Sequence, residues 1–269
     1  MRRTASVFVP LGLSATLLAG LLAGCGSSSS GGAGSSAPAS SSAPAVTGSI
    51  TVLAASSLKE AFTTIGQQFE AANPGVKVTF SFAASSALAT QINSGSPADV
   101  FASASTSTMQ QVVDKGGARS PTNFVKNVME IATPPSNPAG VTSVDDLAKT
   151  SVKVALCQSQ VPCGSTAQKV FTNAGITVTP VTQEPDVKSV LAKVTLGEVD
   201  AGVVYVTDVL AAGTSVHGVQ IADSVNASTT YPIAALTKAP NTAGAAAFVA
   251  YVLSPAGQSV LTTDGFQSP

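Results

Sequence analysis

The stretch ITVLAASSLKEAFTTIGQQF, residues 50–69, sets the fold class. Ile50 to Ala55 is a short apolar run of the kind that makes a buried strand. Ser56 and Ser57 interrupt it. Leu58, Phe62, Ile65 and Phe69 then recur at helical spacing and give one apolar face. Asn73-Pro74-Gly75 should stop that helix.

The same alternation extends along the chain. Val76, Val78, Phe80 and Phe82 alternate with polar residues, as in a strand. Leu88 and Ile92 mark a second helix, Asp99 to Ala102 a third strand, and Met109, Val112 and Val113 a third helix ended by Gly116-Gly117. Further on, Val152 to Leu156 reads as a strand and Gly164 to Asn173 as a helix. Val187, Val190, Leu191 and Val194 give another apolar helix face. Ala201 to Val206 is a buried strand, and Thr207-Asp208 starts the next helix. Strands alternating with helices predict an α/β fold of mainly parallel sheets with helices on both sides. No repeat of solenoid period is visible.

Small hydroxyl residues sit at the strand-to-helix turns: Ser56-Ser57, Ser85-Ser86, Ser103 to Ser107 and Ser165-Thr166. In α/β sheets such turns lie at the carboxyl ends of strands, where ligands bind. A helix N-terminus there offers unpaired backbone N–H groups and the positive end of a dipole. Several such turns converging make an anion site that needs no Lys or Arg. Ser57 and Glu60 also fit Ser-x-x-Glu, a capping box. Capping and anion binding are compatible roles for Ser57 and for Ser85. Asp208 reads better as a helix cap than as a site residue. Tyr205 stands in an apolar strand, where a buried ring finds one partner for its hydroxyl.

Ahead of this region, Met1-Arg2-Arg3 is basic, Val7 to Leu22 is mostly apolar, and Ala23-Gly24 are small. That order reads as a secretory signal, residues 1–24. Leu22-Ala23-Gly24-Cys25 resembles the bacterial lipobox, which implies lipidation at Cys25 and a membrane anchor. Residues 25–47 are rich in Ser, Gly, Ala and Pro and cannot bury a core, so they read as a tether. Roughly 220 residues follow, enough for two modest domains.

The chain has 13 basic and 14 acidic residues, and Arg2 and Arg3 belong to the signal. No basic patch appears, which argues against nucleic acid as a partner. Beyond Cys25 the cysteines are Cys157 and Cys163. In an oxidising compartment a disulfide closing this short loop is the leading reading. Zinc is the rival, and it needs two further ligands when His217 is the lone His. His217 reads as a solvated loop residue. An enzyme is not expected. No Gly-x-Ser-x-Gly elbow or phosphate-cradling Gly-rich loop is present, and Asp145-Asp146 reads as a surface helix start.

Several motifs resemble the molybdate-binding proteins of bacterial ABC transporters. They are Thr51 to Leu58, Phe82 to Ile92, Ser96 to Ala104, Val161 to Gly164, Glu184 to Val187, Gly197 to Tyr205, Tyr231 to Ala234, and the ending near Gly265-Phe266. The set runs in order from about Ser49 to Phe266.

The resemblance implies a two-lobe periplasmic-binding-protein-like fold of class II type, with the ligand in a cleft between lobes. Lobe I would comprise residues 48–129 and 226–269, and lobe II residues 130–225. The resemblance further implies that Ser57 and Ser85 hold one oxyanion through hydroxyl and backbone N–H. Cys163 and Val187 would add backbone N–H groups, and Tyr205 its hydroxyl. The family often has Ala where Cys163 stands, a change a backbone contact tolerates.

Molybdate, or tungstate, would be the ligand. It is a full dianion at neutral pH, so all its oxygens accept, and a site of donors suits it. Hinge closure, with crossings near Val128 to Thr133 and Val225 to Pro232, would deliver it to an ABC permease. No cofactor and a monomeric state are expected. The competing readings are a carrier of sulfate or another oxyanion, a surface-anchored serine hydrolase, and an adhesion module.

Overall fold

The computed structural model describes residues 46–269, so the signal, Cys25 and all but the end of the tether lie outside the described residues. Ile50 and Val52 to Ala55 are buried in β1 (Gly48–Ala55). The chain then makes one 3-10 turn, Ser56–Leu58, and enters α1 (Lys59–Ala72). Leu58, Phe62, Ile65 and Phe69 are all buried, as their spacing predicts. Phe62 and Phe69 meet Phe248 edge-on, with ring centroids 6.1 and 5.4 Å apart. Asn73 ends the helix by donating its side-chain amide to Phe69 O at 2.9 Å. Gly75, at φ +103, turns the chain in a conformation few other residues adopt.

The remaining elements follow in alternation. They are β2 (Val76–Ala83), α2 (Ser85–Asn93), β3 (Val100–Ala102), α3 (Thr106–Asp114), β4 (Thr122–Thr133) and a 3-10 turn at Val144–Ala148. Next come β5 (Val154–Cys157), α4 (Pro162–Ala174), β6 (Thr182–Glu184), α5 (Val187–Thr195), β7 (Ala201–Tyr205) and α6 (Val206–Ala212). The chain ends with β8 (His217–Gln220), β9 (Ser228–Ala235), α7 (Thr242–Leu253) and α8 (Pro255–Thr263).

The strands run in the order β2-β1-β3-β9-β4-β7-β5-β6, with β8 also on β4. β4 is the strand shared by two halves. Its first part, Thr122 to Val128, pairs with β9, and its last part, Met129 to Thr133, pairs with β7 and β8. Each half has its own core. One is built on Ile50, Phe62, Phe69, Tyr231 and Phe248, and the other on Ile131, Val154, Val170, Val190 and Val203. A smaller cluster of Leu53, Leu88, Phe101 and Met109 backs the first half.

Two sequence expectations change here. The sheet is mixed: β1 pairs with β2 and β3, and β5 with β6 and β7, all in parallel. The pairs β3/β9, β4/β9, β4/β7 and β4/β8 are antiparallel. Parallel neighbours follow from helical crossovers, whereas the chain passes between the halves along β4 and comes back into β9. His217, expected in a loop, opens the short strand β8 opposite Thr133, though its side chain is exposed as expected.

Candidate functional site

Five strands end at turns that face one another. β1 leads into the Ser56–Leu58 turn, β2 into α2, β5 into α4, β6 into α5 and β7 into α6. Carboxyl strand ends with helix N-termini just beyond them gather unpaired N–H groups in one place. The cavity between these turns is lined by Ser57, Ser85, Cys163, Val187 and Tyr205, the five residues singled out from the sequence. The lining is completed mainly by small or apolar residues, including Ala55, Ala84, Ala104, Val161 and Pro162. All five are buried, with Ser85 and Tyr205 at 1% exposure. The cavity is narrow, about 220 Å³ with its opening to solvent included.

The hydroxyls are arranged to give protons to an occupant. Ser85 Oγ accepts the N–H of Ala104 at 2.9 Å, which leaves its own proton free. The Ser57 and Tyr231 hydroxyls share a 2.8 Å hydrogen bond. If Tyr231 donates it, the Ser57 proton also points to the cavity. Tyr205 Oη is buried without a well-aligned hydrogen-bond partner among the described residues. A buried hydroxyl in that state costs free energy unless something else receives its proton. Burial, reinforced by the nearby Tyr231 and Asp208, pushes the Tyr205 phenol well above its ordinary value, so it remains a donor.

Among the described residues no Lys or Arg lines the cavity. Asp186 is the one charged residue in the lining, and its Oδ1 caps α5 by accepting Ser189 N–H at 3.0 Å. Positive potential therefore comes from helix ends and N–H dipoles. Carriers of full charge sit one layer back. Asp208, fully buried, accepts the Tyr205 N–H through Oδ2 at 3.1 Å. Its Oδ1 lacks a well-aligned hydrogen bond but lies 3.0 Å from the Lys188 ammonium. Burial raises the Asp208 carboxyl, and Lys188 partly offsets that.

The expected capping box does not form. Ser57 lies inside the 3-10 turn and makes no side-chain cap bond; its hydroxyl goes to Tyr231. Glu60 instead reaches Lys188 at 2.8 Å. Asp208 does act as a cap, as expected. Cys157 and Cys163 are joined in a disulfide, which removes both as zinc ligands. Sequence reasoning missed Tyr231, Ala104 and Lys188. Tyr231 stood in a quoted motif, but nothing local tied its hydroxyl to Ser57, 174 positions away.

Fold and cavity together fit a solute-binding protein, an α/β fold in two halves with a small site where the strand ends meet. The chain belongs to the bacterial extracellular solute-binding protein family, whose model it matches over residues 50–267. It is similar to the molybdate-binding protein ModA of Mycobacterium tuberculosis, at 45% identity over 96% of each chain. Among solved structures it resembles the substrate-binding domain of a putative molybdenum ABC transporter from Clostridium difficile. That match has 28% identity, a TM-score of 0.63, and covers 82% of this chain and 99% of that one. The periplasmic molybdate-binding protein of Azotobacter vinelandii shares the fold, with a TM-score of 0.72 at 17% identity over 82% of this chain and 99% of its own.

Proposed function

We propose that this chain captures molybdate, and tungstate with it, outside the cytoplasm and hands it to an ABC permease. The observation that carries the reading is the Tyr205 hydroxyl, without a well-aligned partner among the described residues, in the lining of a cavity formed by donors and helix N-termini. The names of the relatives point to the same ligand. Ser57, Ser85 and Tyr205 give hydroxyl protons to the anion, and Ser57, Ser85, Cys163 and Val187 give backbone N–H groups. An accept-only dianion satisfies every one of them.

Residues 48–129 with 226–269 act as one lobe and 130–225 as the other. The division of the core and the passage of β4 between the halves support that split. An anion that touches both lobes binds the closed arrangement more tightly and so shifts the population towards it. A lipid on Cys25 keeps the carrier beside its permease and raises their effective concentration.

Titration calorimetry of residues 46–269 with molybdate, tungstate, sulfate and phosphate tests the reading. Molybdate and tungstate are expected to bind far more tightly than the other two. Sulfate binding at equal strength would make this a general oxyanion carrier. Preference for phosphate would mean that Asp186 accepts a hydrogen bond from its hydroxyl, and would overturn the assignment.

A further inference from the structure

Behind Ser57 a second, smaller group of charges connects the two halves of the molecule. Lys188 follows Val187 directly in α5, so its backbone sits at the edge of the cavity. Its ammonium reaches in two directions: Glu60 Oε2 at 2.8 Å and Asp208 Oδ1 at 3.0 Å. Glu60 is on α1, whose apolar face belongs to the first core, whereas Lys188 and Asp208 are on α5 and α6, beside the second. Asp264 lies with Glu60 and Ser57 around an adjoining pocket, and burial together with Glu60 raises its carboxyl. Burial pulls the Lys188 ammonium down, but Asp208 and Glu60 outweigh it and keep it charged.

We propose that Lys188 is a positioning residue that latches the closed cleft, by bridging Glu60 of one lobe to Asp208 of the other. This rests on the two-lobe carrier reading above. The Lys188–Asp208 contact lies within one lobe and persists when the cleft opens. The Lys188–Glu60 contact crosses the cleft and exists only in the closed form, so it shifts the equilibrium towards closure. The bridge also has an electrostatic role. Three carboxyls, Glu60, Asp208 and Asp264, lie behind an anion site without a cation among its described lining residues, and the Lys188 ammonium is placed to screen them. Asp208 in turn fixes the Tyr205 N–H, so the latch holds the residue whose hydroxyl faces the ligand.

The test compares wild type, Glu60→Gln, Lys188→Met and Lys188→Arg, each in the full soluble domain. Two quantities are read: the dissociation rate of molybdate by stopped-flow displacement, and the radius of gyration by small-angle X-ray scattering without ligand. Glu60→Gln removes an exposed carboxylate and is expected to fold normally. It should raise the dissociation rate several-fold, leave the association rate nearly unchanged and enlarge the radius of gyration. Lys188→Met should do the same more strongly, and Lys188→Arg should restore both readings. Wild-type dissociation and wild-type dimensions in Glu60→Gln would overturn the latch. If wild type itself binds no oxyanion, the carrier reading fails instead, and the scattering comparison alone still decides whether the bridge holds the cleft shut.

Discussion

At the scale of single residues, Tyr205 and Ser85 divide stability from binding. The Tyr205 hydroxyl lies near Thr166 and Tyr231 but makes no well-aligned hydrogen bond among the described residues. Tyr205→Phe therefore removes a donor to the ligand and nothing that the fold uses. Molybdate affinity should fall by about 1–3 kcal/mol, while the melting temperature without ligand stays level or rises, because an unsatisfied buried hydroxyl is gone. Ser85→Ala differs, because Ser85 Oγ accepts the Ala104 N–H. Removing it strands a buried N–H, so affinity and ligand-free stability should fall together, the latter by about 1–3 kcal/mol. Calorimetry paired with thermal unfolding reads both. A ligand-free loss in Tyr205→Phe as large as that in Ser85→Ala would refute the distinction. Burial of Tyr205 was legible in the run Ala201 to Val206, and the hydroxyl pattern marked Ser57 and Ser85. The missing partner of Tyr205 was not legible, because whether a buried hydroxyl proton finds an acceptor depends on the assembled site.

At the scale of elements, the site depends on how tightly the turns pack. Pro162 starts α4, and Gly164 follows where a Cβ would collide with Gln158 O and lie 2.8 Å from Cys157 O. The chain closes back on itself there, and the Cys157–Cys163 disulfide ties the same loop. Gly164→Ala must push backbone against backbone. It should cost roughly 1–3 kcal/mol of stability and, by shifting the Cys163 N–H, weaken the anion further. Chemical denaturation would show the first effect, and an unchanged midpoint would mean the loop yields freely. Elements with a clear apolar period, such as α1 and α5, could be read directly from the sequence. β6 is three residues long with no buried side chain, and it gave no signal. α7, TAGAAAFVAYVL, is apolar nearly all round, so its buried face at Gly244, Ala245, Phe248 and Val252 does not stand out. The Ser57–Glu60 pattern misled for a different reason. Its local spacing was right, but Lys188, 128 positions later, draws Glu60 away.

At the scale of the whole molecule, β4 is where the two halves meet, and it carries a largely buried carboxyl. Glu130 is 8% exposed, pairs through its backbone with Val204 and Gln220, and lies just past the change of neighbours from β9 to β7 and β8. Its side chain packs beside Gly218, where a Cβ would meet Oε1 and Val209. Burial alone raises its pKa, with no cation to compensate. A carboxyl with a raised folded pKa binds its proton more firmly in the native state than in the unfolded chain. Stability therefore falls as pH rises from the unfolded value, about 4.3, through the folded one, and the full cost is present above that. Asp146 acts in the opposite sense. Its bond from the Lys149 ammonium and the N–H groups of Thr142 and Ser143 hold its pKa far down, so its contribution is present at neutral pH and lost on acidification. The two can be separated by Glu130→Gln, which mimics the protonated acid and leaves Asp146 untouched. Its melting temperature should exceed that of wild type at pH 8, the gap should shrink as pH falls, and the curves should meet near pH 4, about the ordinary Glu value. A gap that stays constant across that range would mean that Glu130 titrates like an exposed carboxylate, and that the junction strand carries no buried charge for closure to act upon.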